Sequence, residues 1–129
     1  MSEQKDKIFV VEDEILIASE MSGALEDLGF EVVGPCVHLR EAAERARCEE
    51  IDAAFLDVHL GGSEDTEEVA QILRQRDVPF VFITAYDREE ITFVLPDERV
   101  IRKPVYGGKL HETLRSVLPD LTRDQGLSA

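Results

Sequence analysis

The sequence predicts an α/β fold, a doubly wound five-stranded parallel sheet in the order 2-1-3-4-5. Short unbroken apolar runs alternate with stretches of helical apolar spacing, and each run stops at polar residues of a different kind. Buried parallel strands read as continuous hydrophobic runs because helices cover both faces of the sheet. Strands alternating with helices require right-handed crossovers, and the 2-1-3-4-5 winding is a common solution. At 129 residues the chain fits one domain that needs no disulfide or metal to hold a core.

The elements follow in order. Ile8-Phe9-Val10-Val11 is the first strand and stops at Glu12-Asp13. Ile15, Leu16, Met21, Leu25 and Leu28 recur at helical spacing, and Gly29 ends that helix. Phe30 to Val33 is a short strand closed by Gly34-Pro35. Leu39 to Cys48 is a helix with an alanine-rich inner face and Arg40, Glu41, Glu44 and Arg47 outside. Ala53-Ala54-Phe55-Leu56, the third strand, stops at Asp57, and Gly61-Gly62-Ser63 forms a loop. Val69, Ile72 and Leu73 mark a helix closed near Asp77. Phe80 to Ile83 is the fourth strand and stops at Thr84. Glu89 to Leu95 predicts a short fourth helix before Pro96, and Val100 to Arg102 a fifth strand leading to Lys103-Pro104. Lys109 to Leu118 closes the fold as a fifth helix, with Leu110, Leu114, Val117 and Leu118 on one side. Residues 1–6 read as a disordered N-terminus, 7–119 as the domain and 120–129 as a tail.

Composition bounds the function. With 43% apolar and 33% charged residues the chain is globular. Its net charge of -14 repels nucleic acid and anionic membranes, so neither is an expected partner. Cys36 and Cys48 lack redox or zinc spacing and read as reduced thiols of a cytoplasmic protein. His38 and His111 read as surface residues that form no metal cluster with His59. No apolar stretch approaches the roughly 20 residues that span a bilayer.

In an open α/β sheet, ligands bind outside the carboxyl ends of the strands. Glu12, Asp13, Asp57, Thr84 and Lys103 all stand at such ends, with the crevice falling between the first and third strands. Two carboxylates about 5 Å apart repel by roughly 3 kcal/mol at an effective dielectric of 20. Such a cluster calls for a cation, and Mg²⁺ suits it because it takes one or two carboxylates, waters and phosphate oxygens. Asp57 is placed to act as a nucleophile towards phosphorus. Lys103 offers a compact positive charge and Thr84 a hydroxyl to the phosphoryl oxygens. A phosphohydrolase or nucleotide-binding enzyme is disfavoured, since no Asp-x-Asp-x-Thr, P-loop or Gly-x-Gly-x-x-Gly is present.

Four segments, Val10-Val11-Glu12-Asp13-Glu14, Leu56-Asp57-Val58, Phe82-Ile83-Thr84-Ala85 and Arg102-Lys103-Pro104, resemble the receiver domains of two-component response regulators. The resemblance to this CheY-like, flavodoxin-like (βα)₅ fold covers essentially the whole chain. It implies that Asp57 is the phospho-acceptor and that Asp13 and Asp57 bind Mg²⁺. It further implies that the His59 backbone carbonyl completes the protein ligands, with Glu12 acting through water. Lys103 would pair with the phosphoryl group, and Lys103–Pro104 would be cis. The donor would be a phosphohistidine on a histidine kinase or histidine phosphotransfer protein, with a downstream regulator protein as target. The receiver would catalyse its own phosphorylation and dephosphorylation without being an enzyme towards free substrates.

His59 and Tyr86 fall two positions beyond the acceptor and the threonine, where the resemblance implies that bulky rings modulate the phosphoryl lifetime. Residues 79–86 resemble the Pro-Phe-x-Phe-Ala-Thr-Gly-Tyr motif of FAT GUY single-domain receivers, with Ile83 and Ala85 departing from it. Val100 and Val105 stand where the family often carries aromatics, which argues against a Thr–aromatic switch in its usual form. The implied output face is the fourth helix, fifth strand and last helix. Two alternatives stay open: a receiver-like scaffold that is never phosphorylated, and a receiver cut from a longer regulator.

Overall fold

The computed structural model describes residues 5–60 and 64–117. Residues 1–4 of the expected disordered start, the Gly61-Gly62-Ser63 loop and the expected tail at 120–129 lie outside the described residues. Five strands, β1 (Lys7–Val11), β2 (Glu31–Cys36), β3 (Ala53–Asp57), β4 (Phe80–Thr84) and β5 (Arg99–Arg102), form one parallel sheet. Its order is β2-β1-β3-β4-β5, as the alternation of runs and helices predicts.

Among the described residues four α-helices cover the sheet: α1 (Ile15–Asp27), α2 (Leu39–Cys48), α3 (Glu67–Gln75) and α4 (Gly107–Val117). Successive strand residues point to opposite faces, so the sheet carries two cores. Phe9, Val11, Ala54, Leu56, Phe80 and Phe82 pack under α2 and α3. Ile8, Val10, Phe55, Val81 and Ile83 pack under α1 and α4. Every residue of β3 and β4 is buried, which explains why those runs show no alternation. Among the described residues no helix is long and apolar enough to cross a membrane.

Three expectations need correction. The first concerns α1, whose buried stripe is Ala18, Met21 and Leu25. Ile15 and Leu16, read as part of that stripe, are 75% and 81% exposed. They open the helix at the carboxyl edge of the sheet, outside both cores.

The second concerns β2, which runs through Gly34-Pro35 to Cys36 instead of ending there. Phe9 pairs with Val33 and Val11 with Cys36, so β2 spends one residue more than β1 over the same stretch. This is a β-bulge on an edge strand, where proline is tolerated. Gly34 has φ 103°, and a Cβ there would meet Cys36 N and Val10 O at 2.8 Å. Only glycine fits that approach. The bulge has a use: the Cys36 carbonyl accepts the Glu12 N–H at 3.0 Å, which fixes the turn leaving β1.

The third concerns the expected fourth helix at Glu89–Leu95, which is absent. A single 3₁₀ turn, Arg88–Glu90, stands there, followed by an irregular segment. Ile91 is buried and Phe93, in a turn, meets Phe82 edge-on at 5.6 Å, so both side chains of this segment anchor it to the core without a helix. Arg74 of α3 grips the segment, donating to both Glu98 carboxylate oxygens and to the Phe93 carbonyl, each at 2.8 Å. Arg88 donates to the Leu95 and Pro96 carbonyls at 2.7 and 3.0 Å. Backbone carbonyls of this irregular segment are met by the two arginines.

Candidate functional site

Sheet register brings the polar residues together. Val11 pairs with Leu56, Asp57 with Ile83 and Thr84 with Arg102. Glu12 therefore stands one step beyond β1 beside Asp57, and Lys103 one step beyond β5 beside Thr84. Asp13, Glu14, Asp57, His59, Thr84, Ala85, Tyr86 and Lys103 line an open cleft of about 400 Å³. Glu12 lies beneath it, fully buried.

Lys103 is the hub. Its Nζ donates to Asp57 Oδ2 at 3.1 Å and to Glu12 Oε2 at 3.2 Å. Glu12 Oε1 is as close, 3.2 Å, yet this buried oxygen accepts no hydrogen bond. Glu14 reaches the same ammonium from the rim at 3.9 Å. Glu12 Oε2 also accepts the Glu14 N–H at 3.0 Å, closing the turn.

Ligand oxygens of Glu12, Asp13 and Asp57 lie within 4.8 Å of one another. One ammonium cannot neutralise three carboxylates, and the electrostatics show the excess. Burial, then the neighbouring Glu12, push the Asp57 carboxyl up to about 7, with Lys103 opposing them. Burial pulls the Lys103 ammonium down, but Asp57 and Glu12 outweigh it and hold it above its usual value. An all-oxygen donor set with a buried carboxylate oxygen that accepts no hydrogen bond fits a hard divalent cation.

Thr84 is buried at the end of β4, where its hydroxyl accepts the Tyr86 N–H at 2.9 Å. Its carbonyl accepts the Lys103 N–H at 2.9 Å, tying the β4 and β5 exits together. The Lys103–Pro104 peptide is cis. His59 and Tyr86 meet edge to face with ring centroids 5.3 Å apart, at one side of the cleft. Of the residues singled out from the sequence for this site, Asp13, Asp57, His59, Thr84, Tyr86 and Lys103 line the cleft and Glu12 is bonded to Lys103, while Pro104 follows Lys103 without lining it. Neither His38 nor His111 lines the cleft; His38 is exposed as expected, whereas His111, read as a surface residue, is half-buried on α4 with its Nε2 buried.

A model of the response regulator receiver domain matches residues 8–115. The chain belongs to the response regulator receiver domain family. This receiver is 34% identical over 101 residues to the phyllosphere-induced regulator PhyR of Methylorubrum extorquens, covering 76% of the chain and 38% of PhyR. The chain spans between 26% and 49% of the length of the curated relatives it matches. SdrG from Sphingomonas melonis Fr1, known as a solution structure, is 36% identical with a TM-score of 0.77, covering 88% of this chain and 97% of SdrG. The receiver domain of the sensor histidine kinase PA1611 from Pseudomonas aeruginosa PAO1 shares the fold. It has a TM-score of 0.76 at 21% identity, covering 90% of this chain and 99% of that one. That protein is described with a magnesium ion coordinated in its active-site cleft.

Two residues of this receiver's site escaped the sequence reading. Glu14 lines the cleft, and its place directly after Glu12-Asp13 was the available signal. Thr66, fully buried, donates its hydroxyl to the Asp57 backbone carbonyl at 2.8 Å. A threonine ahead of a helical stretch reads from sequence as an ordinary cap, so nothing pointed to Asp57.

Proposed function

We propose that this receiver accepts a phosphoryl group on Asp57 from a phosphohistidine of a histidine kinase or histidine phosphotransfer protein. The observation that carries the reading is Lys103 Nζ set 3.1 Å from Asp57 and 3.2 Å from Glu12 amid three converging carboxylates. A deprotonated Asp57 oxygen attacks phosphorus, the new P–O bond forms, and the P–N bond breaks with its electron pair returning to the imidazole. Lys103 turns from the bare carboxylates to the added phosphoryl oxygens. Thr84 keeps its own O–H for another of them.

Mg²⁺ is the proposed cofactor, held by Asp13, Asp57 and the His59 backbone carbonyl, with Glu12 acting through water. When bound it offsets the charge that the carboxylates and the phosphoryl oxygens share. The magnesium described in the Pseudomonas receiver supports the choice.

Signalling then runs through protein–protein contacts in the cytoplasm, to a downstream regulator. Phosphorylation adds close to two negative charges. Thr84 and Lys103 carry the change to the β4 and β5 exits, and from there to a face made by the 88–98 segment, β5 and α4. Exposed Ile15, Leu16, Tyr86 and Tyr106, all near the carboxyl edge of the sheet, favour a protein donor over a small molecule.

Labelling tests the reading. Acetyl phosphate with Mg²⁺ is expected to add one phosphoryl group by intact-protein mass spectrometry, and none in Asp57→Ala. A wild-type protein that gains no mass refutes phosphorylation and leaves a scaffold that signals by binding alone.

We further propose that the His59–Tyr86 ring pair shields the acyl phosphate from water and lengthens its life. His59→Ala and Tyr86→Ala are each expected to shorten the half-life of the phosphorylated form severalfold. Unchanged decay in both variants would make the rings bystanders.

A further inference from the structure

We infer that Thr66 is a positioning residue for the acceptor loop, holding the Asp57–His59 backbone in the form that binds the cation. The inference rests on the function proposed above. Thr66 occupies the N-cap position of α3, where a threonine normally accepts an N–H of the first helical turn. Here its side chain makes no such cap. The hydroxyl turns back instead and donates to the Asp57 carbonyl at 2.8 Å, with the Val58 carbonyl 3.4 Å away. The Thr66 N–H donates to the same Val58 carbonyl at 3.0 Å. Asp65 takes over the capping that Thr66 forgoes, its Oδ1 accepting the Glu67 N–H at 3.0 Å.

The bond partners explain the arrangement. β3 ends at Asp57, so its carbonyl and that of Val58 leave the sheet ladder just where the acceptor must be held. Val58 still donates to Ile83 at 3.1 Å, but its carbonyl and that of Asp57 both face Thr66. Thr66 thus fixes the two peptide planes that flank the Val58 Cα, the first through its hydroxyl and the second through its N–H. His59, whose carbonyl is the proposed cation ligand, follows directly. It leans on the same anchor through its bridge to Asp65 and through its N–H, 3.4 Å from Asp57 Oδ1. Thr66 has 0% exposure, so its hydroxyl finds no compensating water once its partner is lost. Groups that orient ligands in this way commonly govern metal affinity by about 10–100-fold.

The test compares Thr66→Val, which keeps the shape and deletes the hydroxyl, with Thr66→Ser, which keeps the hydroxyl. Thr66→Ala serves as a second deletion should valine prevent folding. Mg²⁺ affinity is read by calorimetry, Mn²⁺ affinity by electron paramagnetic resonance, and acetyl phosphate labelling is followed in parallel below the melting range of every variant. The expected result is about tenfold weaker cation binding and slower labelling in the hydroxyl-deleted variant, with wild-type values in Thr66→Ser. A purely structural hydroxyl would lower melting temperature and leave cation affinity intact, and that outcome overturns the inference alone. Serine failing to rescue overturns it too. A wild-type protein that binds no cation and takes no phosphoryl group overturns the proposed function and this inference together.

Discussion

Lys103→Met is expected to destabilise the cation-free protein by about 3–5 kcal/mol at pH 8, the cost of removing one partner from a buried ionic group. Methionine keeps the length and apolar stem of lysine, so packing is nearly conserved and the charge is what changes. Lys103 is the one ammonium among the described residues within 4.0 Å of Glu12 and Asp57, whose side chains are 0% and 7% exposed. Without it, two buried carboxylates face each other with no counter-charge. The loss should shrink towards pH 5, where Asp57 takes a proton and the pair carries one charge fewer. Saturating Mg²⁺ should recover part of it by supplying the missing positive charge. Urea denaturation at both pH values, with and without Mg²⁺, measures all of this. Equal losses under the four conditions would mean that the lysine contributes packing only.

The same network shows what could be read from the sequence. Strand runs were legible because β3 and β4 are buried on both faces, leaving unbroken apolar stretches with one polar stop each. Parallel order then aligned the stops, so the cleft residues could be assembled before any geometry was known. Features that depend on chain reversal or on side-chain to backbone bonding were not legible. Gly34-Pro35 carries a turn composition, yet the bulge keeps it inside β2 because Cys36 must reach the Glu12 N–H. The 88–98 segment has helical residues, but it is held through side-chain bonds to its carbonyls, one set of them from Arg74 of α3, a distant position in sequence. Ile15 and Leu16 have helical spacing and no core beneath them, a fact of position that periodicity does not carry. Thr66 acts on a backbone carbonyl nine residues away, and a backbone carbonyl leaves no trace in sequence.

Asp57→Asn should give the opposite effect, a cation-free protein more stable than wild type at pH 8. The Asp57 carboxyl is pushed up to about 7 in the fold from 3.8 in the unfolded chain. Between those values the folded protein holds a proton that the unfolded chain has released. Stability therefore falls as pH rises through this window, is fully present below about pH 4, and levels off above about pH 7. At about 1.4 kcal/mol per unit the whole decline is up to about 4 kcal/mol. Asparagine carries no charge at any pH, so the Asp57 contribution to the slope should vanish. The variant should exceed wild type at pH 8 by about 2–4 kcal/mol, the part of that decline left after losing the Lys103 contact. On the proposed function Mg²⁺ should reverse the order, because a cation held by the ionised cluster stabilises only the chain that carries it. Thermal unfolding of both proteins at pH 5 and pH 8, with and without Mg²⁺, provides the measurement. A wild-type curve flat from pH 4 to 7 would show that Asp57 carries no strain, and with it would go the reason for the site to recruit a cation.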